Sequence, residues 1–178
     1  MGSSNRTFAS LAASLDGYIA SADGDLSWLN DAMRRDEDYG MEEAMARTGA
    51  YILGAKTFRE SAAMLGTSGE GPPTFVVTHA ALEDAPPGVT FYSGDLAELV
   101  DRAKAASSKD VHVFGGGEIV TQLLAAKLLD ELSLALVPVV LGGGVRLFNA
   151  LEQWTSLQLT ECRSYPSGIV ALRYELSS

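Results

Sequence analysis

Cysteine and histidine are nearly missing: Cys162 is the single cysteine, and His79 and His112 are the two histidines, in 178 residues. An internal disulfide framework is therefore excluded, three such distant residues make no zinc site, and a reducing, cytoplasmic setting is expected. Long apolar runs are missing too. Asp, Glu, Lys, Gly or Pro breaks every stretch short of the roughly 18 residues that cross a bilayer, so no membrane is expected as a partner. The opening "MGSSNRTF" has neither the basic nor the apolar region of a secretion signal, and Arg6 stands where myristoylation needs Ser or Thr. Positive charge is scarce: 13 Lys and Arg against 23 Asp and Glu give a net charge of −10, and no Lys or Arg lies between Ala62 and Asp101. Nucleic acid, which is held by clustered cations that release counterions, is excluded as a partner.

What is present is an apolar majority with regular punctuation. Hydrophobic residues make up 47% and charged residues 20%, which fits one compact domain over residues 1–178 with a sizeable core. "RTFASLAASLDGYIA" reads as a strand entering a turn at Asp16-Gly17, and a polar loop with Trp28 follows. Next come a helix near "DEDYGMEEAMART", a buried strand "AYILG" and a helix "KTFRESAAML". "GTSGEGPP" is a surface loop, "TFVVTHA" and "GVTFYS" are strands, and "DLAELVDRAKAA" is a helix with Asp95 at its N-terminus. "DVHVFGGG" is a strand ending in glycines, "EIVTQLLAAKLL" a helix, and the remainder mostly strand. Strands alternating with helices predict an α/β fold with a largely parallel sheet covered on both faces. The helix-free run of late strands predicts antiparallel strands along one edge.

Two strand-to-helix corners stand out. "GAKTFRES" follows the strand "AYIL". It is not the phosphate loop of nucleotide hydrolases, because Ala55 separates Gly54 from Lys56 and "AYIL" is strand-like. A helix beginning at Thr57 would still offer free amides, a positive dipole end and the Lys56 charge, although an ordinary capped turn reads the same way. "VFGGGEIV" supplies the second corner, with Gly115, Gly116 and Gly117 free of side-chain bulk. The dinucleotide fingerprint G-x-G-x-x-G fails at Val120. Two such corners suit a ligand with several phosphates, and tight helix–strand packing is the competing reading. Gly142 to Gly144 reads as a hairpin loop and Asp16-Gly17 as a turn; Ser14, His79 and Cys162 show no local catalytic context, His79 reading as a surface loop residue.

Taken in order, "SLDGYIA", "GAKTFRES", "VFGGGEIVTQLL" and "PVVLGGGVRLF" resemble the signatures of the dihydrofolate reductase-like superfamily. The branch they resemble is the C-terminal reductase domain of the bacterial riboflavin-biosynthesis deaminase/reductase with its stand-alone relatives, over residues 7–176. The resemblance implies a three-layer α/β fold with a central mixed, mainly parallel sheet. It implies NADPH as reductant, with Gly54, Lys56 and Thr57 on one side of the pyrophosphate and Gly115, Gly116, Gly117 and Glu118 on the other. Thr78 and His79 would meet the adenosine ribose or its 2′-phosphate, and the stretch from Ala13 to Ile19 would line the nicotinamide. No basic residue is available in this chain for a folate glutamate tail, so a folate reductase is not expected, and Glu118 and His79 stand where a cation commonly reads the 2′-phosphate, leaving NADH possible as a second cofactor. Asp31, Asp36, Glu37 and Asp38 are candidate substrate acids. Asp16 is the candidate proton donor, its alternative being to order the Asp-Gly turn. The implied activity is hydride transfer to a small heterocyclic or ribosylamino-pyrimidine substrate, and the alternative is a non-catalytic nucleotide- or small-molecule-binding module. The apolar late strands, together with the habit of such relatives, imply a homodimer.

Overall fold

The computed structural model describes residues 5–65, 70–79 and 84–176. In chain order the elements are β1 (Thr7–Ser14), β2 (Tyr18–Ala20), α1 (Ser27–Ala32), α2 (Met41–Arg47), β3 (Thr48–Gly54), α3 (Ala55–Leu65), β4 (Thr74–Val77) and β5 (Val89–Tyr92). They continue with α4 (Leu96–Ala105), β6 (Asp110–Gly115), α5 (Gly117–Ala125), β7 (Glu131–Val137), β8 (Val145–Arg146), β9 (Leu157–Ser164) and β10 (Val170–Leu176). Eight strands form one sheet in the order β5-β4-β3-β6-β1-β7-β10-β9, and β2 pairs with β8 in a short ribbon.

β1, β3, β4, β5, β6 and β7 are mutually parallel, whereas β10 runs antiparallel to both β7 and β9. The expected mixed, mainly parallel sheet with an antiparallel edge is therefore present. β3 shows why its run is continuously apolar: six of its seven residues are buried, as befits a central parallel strand covered on both faces. Ala50 and Ile52 pack on one face with Leu99, Val100 and Leu123 of α4 and α5, while Tyr51 and Leu53 pack on the other with Phe58 of α3. α4 is capped as its sequence suggests, the Asp95 carboxylate accepting from the Glu98 amide at 3.0 Å.

Local backbone chemistry moved several boundaries. The early strand divides into β1 and β2 because Gly17, at φ +88°, turns the chain. The helix expected from Asp36 starts only at Met41, since Tyr39 and Gly40 both hold left-handed φ values. The polar loop around Trp28 contains α1, and α3 begins at Ala55 instead of Thr57. Lys127, at φ +57°, follows the end of α5. Gly142 to Gly144 do not close a hairpin, because β7 belongs to the main sheet and β8 pairs with β2. The expected loop over 66–73 lies partly at 66–69, outside the described residues. The apolar late strands β7 and β10 are interior to the sheet, so their composition is explained without a partner.

Candidate functional site

β3 and β6 are parallel neighbours, with Leu53 opposite Gly115, so both glycine corners fall at the same end of the sheet. α3 leaves directly from Gly54, and α5 leaves from Gly116, its N-terminal flanking residue. Gly115 holds φ +120°, a conformation that favours glycine. The three glycines nearest the corners do different things. A Cβ on Gly54 would meet nothing within 4 Å, so that corner is open. A Cβ on Gly116 would lie 3.2 Å from the Thr57 hydroxyl, which brings the two corners into contact. A Cβ on Gly117 would lie 2.5 and 2.6 Å from the carbonyl oxygens of Leu147 and Arg146, so Gly117 packs against backbone.

The corners open into a cavity of about 870 Å³. Of the residues singled out from the sequence, Ile19, Gly54, Lys56, Thr57, Thr78, His79, Gly115, Gly116, Gly117 and Glu118 line it. The Lys56 ammonium reaches toward the loop at Gly24, 3.8 Å from where a Cβ would sit there. His79 is exposed and Thr78 buried. Ala13 and Asp16 are not among the lining residues. Ala13 is wholly buried in the sheet. The Asp16 carboxylate accepts from the Ser14 hydroxyl at 2.7 Å and from the Leu141 and Gly142 amides at 3.0 and 2.7 Å. These hydrogen bonds, the Ser14 hydroxyl first, hold its carboxyl below the ordinary value. Asp16 thus ties the first turn to the 141–142 loop, the alternative that its Asp-Gly setting offered, and its carboxylate lies outside the cavity where a proton donor was expected. Asp31, Asp36, Glu37 and Asp38 do not line the cavity either; on that stretch Glu43 does.

The sheet face beneath α2 carries a polar floor that no local motif announced. Arg47 stacks over Phe8 at 3.9 Å, and Phe8 stacks on His112 at 4.4 Å. His112 bonds Ser10 Oγ through Nε2 at 2.6 Å and Thr48 Oγ1 through Nδ1 at 3.2 Å. Burial, with a smaller contribution from Arg47, pushes the imidazole down to about 3, so it is neutral near pH 7. Arg47 also forks onto Glu131 and bonds Asp110. Arg173 pairs with Glu43 at 2.9 Å and Glu161 at 3.3 Å, and its hydrogen bond holds Glu43 below the usual carboxylate range. The alternation of β1, β7 and β10 is the only sequence signal that could have grouped these residues. Among the described residues no helix is long and apolar enough to cross a membrane, and no cluster of His, Cys, Asp or Glu is arranged for a metal ion.

The RibD C-terminal domain family model matches residues 7–171. The uncharacterized protein YwjB of Bacillus subtilis is 27% identical over 165 residues, covering 92% of this chain and 94% of that protein. A putative riboflavin biosynthesis protein from Shewanella sp. PV-4 superposes with a TM-score of 0.85 at 25% identity, covering 97% of this chain and 99% of its own. A diaminohydroxyphosphoribosylaminopyrimidine deaminase/5-amino-6-(5-phosphoribosylamino)uracil reductase from Thermotoga maritima gives a TM-score of 0.73 at 17% identity, covering 97% of this chain and 57% of its own. Dihydrofolate reductase from Enterococcus faecalis, complexed with NADP(H), gives 0.68 at 16% identity, covering 97% of each chain. The fold is thus that of the dihydrofolate reductase-like proteins.

Proposed function

The chain belongs to the RibD C-terminal domain family, and from that premise we propose that it is an NAD(P)H-dependent reductase of a small heterocyclic or ribosylamino-pyrimidine substrate. The observation that carries the reading is the pair of glycine corners on adjacent parallel strands, opening side by side into one cavity. The open space at Gly54 and the absence of side-chain bulk at Gly115 and Gly116 fit a dinucleotide pyrophosphate. Lys56 and Thr57 on one corner and Glu118 on the other would flank it, with Thr78 and His79 at the adenosine end and Ile19 toward the nicotinamide. The names of the Thermotoga and Enterococcus neighbours, a uracil-derivative reductase and an NADP(H) complex, agree with that chemistry.

Bound there, the cofactor supplies the hydride. The chain's own part is to align a ring on the polar floor with that end of the cavity and to shield it from water. The floor carboxylates Glu43, Glu131 and Glu161 are all paired with arginines, and Asp16 is outside the cavity, which favours water as the proton source over any of these four.

The test follows loss of the reduced-nicotinamide absorbance with pyrimidine, pterin and quinone substrates. Binding of NADPH with no turnover of any of them would favour a non-catalytic module on the same fold. Gly116→Val should abolish dinucleotide binding in calorimetry; an unchanged affinity would remove the site. A second copy of the chain is the expected partner, and a monomer mass by light scattering would refute it.

A further inference from the structure

Two neighbouring hydroxyls on the cavity floor have different proton roles. Ser10 of β1 and Ser133 of β7 are register partners, and both line the cavity. Adjacent strands lie roughly 4.8 Å apart, which lets both oxygens reach one edge of a small ring. The Thr48 hydroxyl donates to the Ala44 carbonyl at 2.6 Å, so its oxygen is left to accept from His112 Nδ1–H. A neutral imidazole protonated at Nδ1 has only a lone pair at Nε2. Ser10 must then donate its proton to Nε2 across 2.6 Å, and it turns only lone pairs toward the cavity. The Ser133 hydroxyl has no hydrogen-bond partner among the described residues, so its proton is available to a ligand.

The arginines on this floor already face carboxylates. Arg47 faces Asp110 and Glu131, Arg173 faces Glu43 and Glu161, and Arg163 faces Glu161. A ligand anion would have to compete with a carboxylate already within 3.3 Å of each of these arginines. Lys56 has no ion pair among the described residues, but it sits at the glycine-corner end. Leu29, Met33 and Ile169 add apolar wall for the faces of a ring.

We infer that the floor recognises the lactam edge of an uncharged heterocycle, Ser10 accepting the ring N–H and Ser133 donating to the adjacent carbonyl, with no ligand phosphate bound there. This rests on the reductase reading for its purpose, and it selects unphosphorylated rings from the substrates which that reading leaves open. Ser10 and Ser133 become the specificity-determining residues, with His112 and Thr48 positioning the Ser10 proton.

The probes are 6-aminouracil and 1,3-dimethyl-6-aminouracil, titrated by calorimetry. The parent protein should bind the N–H form about tenfold more tightly, the worth of one hydrogen bond. Ser10→Ala should bring the two affinities together, and Ser133→Ala should weaken both to a similar extent. Ribose 5-phosphate should not displace 6-aminouracil. Equal affinities in the parent, no binding of either probe, a preference that survives Ser10→Ala, or displacement by ribose 5-phosphate would each overturn the inference. Should Ser10→Ala fail to fold, Ser133→Ala decides, because Ser133 has no internal hydrogen bond to lose: undiminished binding of 6-aminouracil would count against it. NADPH affinity is read in a separate titration, so the reductase reading can fail while these ring-edge comparisons still stand.

Discussion

Arg47, the last residue of α2, grips Glu131, the first residue of β7, through contacts of 3.0 and 3.2 Å, and the Glu131 side chain is only 4% exposed. The pair fastens the helix over the polar floor to the middle of the sheet. Removing one member of a buried ion pair costs roughly 3–5 kcal/mol because the other is left uncompensated. Arg47 would keep Asp110 at 3.0 Å, so Glu131→Ala should cost less, about 2–3 kcal/mol. A urea midpoint indistinguishable from the parent's would show that the pair is not stabilising.

His112 makes stability depend on pH. Its folded value is pushed below the ordinary 6.5 to about 3, so the unfolded chain binds the proton more readily. Its contribution is complete above pH 6.5 and is lost as pH falls from there toward 3, by at most about 1.4 kcal/mol per pH unit. His112→Gln should flatten this slope between pH 6.5 and 4.5 in urea titrations. A parent and variant with parallel slopes would mean that the imidazole is not held neutral.

Asp16 gives a different signature. Its depressed carboxyl adds stability above the ordinary value of 3.8, and that contribution is lost as pH falls through the lower folded value. Asp16→Asn should therefore melt earlier than the parent at pH 7, with the gap closing in strong acid. It should leave the pH dependence of hydride transfer unchanged. Disappearance of an acidic limb from the rate profile would restore Asp16 as the proton donor.

The glycines of the two corners should separate binding from folding. Gly54→Ala adds a methyl group to open space, so melting should be unchanged while NADPH binding weakens at least tenfold. Gly117→Ala drives a methyl group into the backbone at 146–147 and should lower the melting temperature. If both variants behaved alike in melting and binding, the division of labour would be wrong.

On the proposed reading, Lys56 is the cation that would reach from the pyrophosphate corner toward a 2′-phosphate and set cofactor choice, since it lines the cavity and Arg59 does not. A charge-assisted hydrogen bond to the 2′-phosphate is worth about 1.5–3 kcal/mol, a ten- to hundredfold preference for NADPH with NADH still usable. Lys56→Ala should narrow the gap. Equal affinities of the parent protein for the two cofactors would refute this assignment.

The corners were legible in the sequence because each is a contiguous strand, glycine and helix, whose meaning is local. The α/β class was legible for the same reason, through alternation of apolar strands with helices. The polar floor was not. Ser10 and Thr48 sit 102 and 64 residues from His112, and only the register of β1 against β6 and of β3 against β6 brings them together. The tie that Asp16 makes was hidden because its partners, the amides of Leu141 and Gly142, lie 125 and 126 residues away. α1 escaped notice because its six residues include no buried one, so no apolar stripe marks it.

The position of β1 also constrains how the chain is made. It pairs with β6 from Thr7 to Val111 and with β7 from Phe8 to Glu131, so the earliest strand of this sequence to leave a ribosome is flanked on both sides by strands that do not yet exist. At ordinary elongation rates it waits on the order of ten seconds for them. Over that interval its apolar side chains and both backbone edges are open, a template for mispairing that chaperones would need to cover. Nascent chains stalled before β7 should therefore be protease-sensitive throughout, and protection should arrive in one step once β7 is out, as expected when long-range pairing closes the sheet.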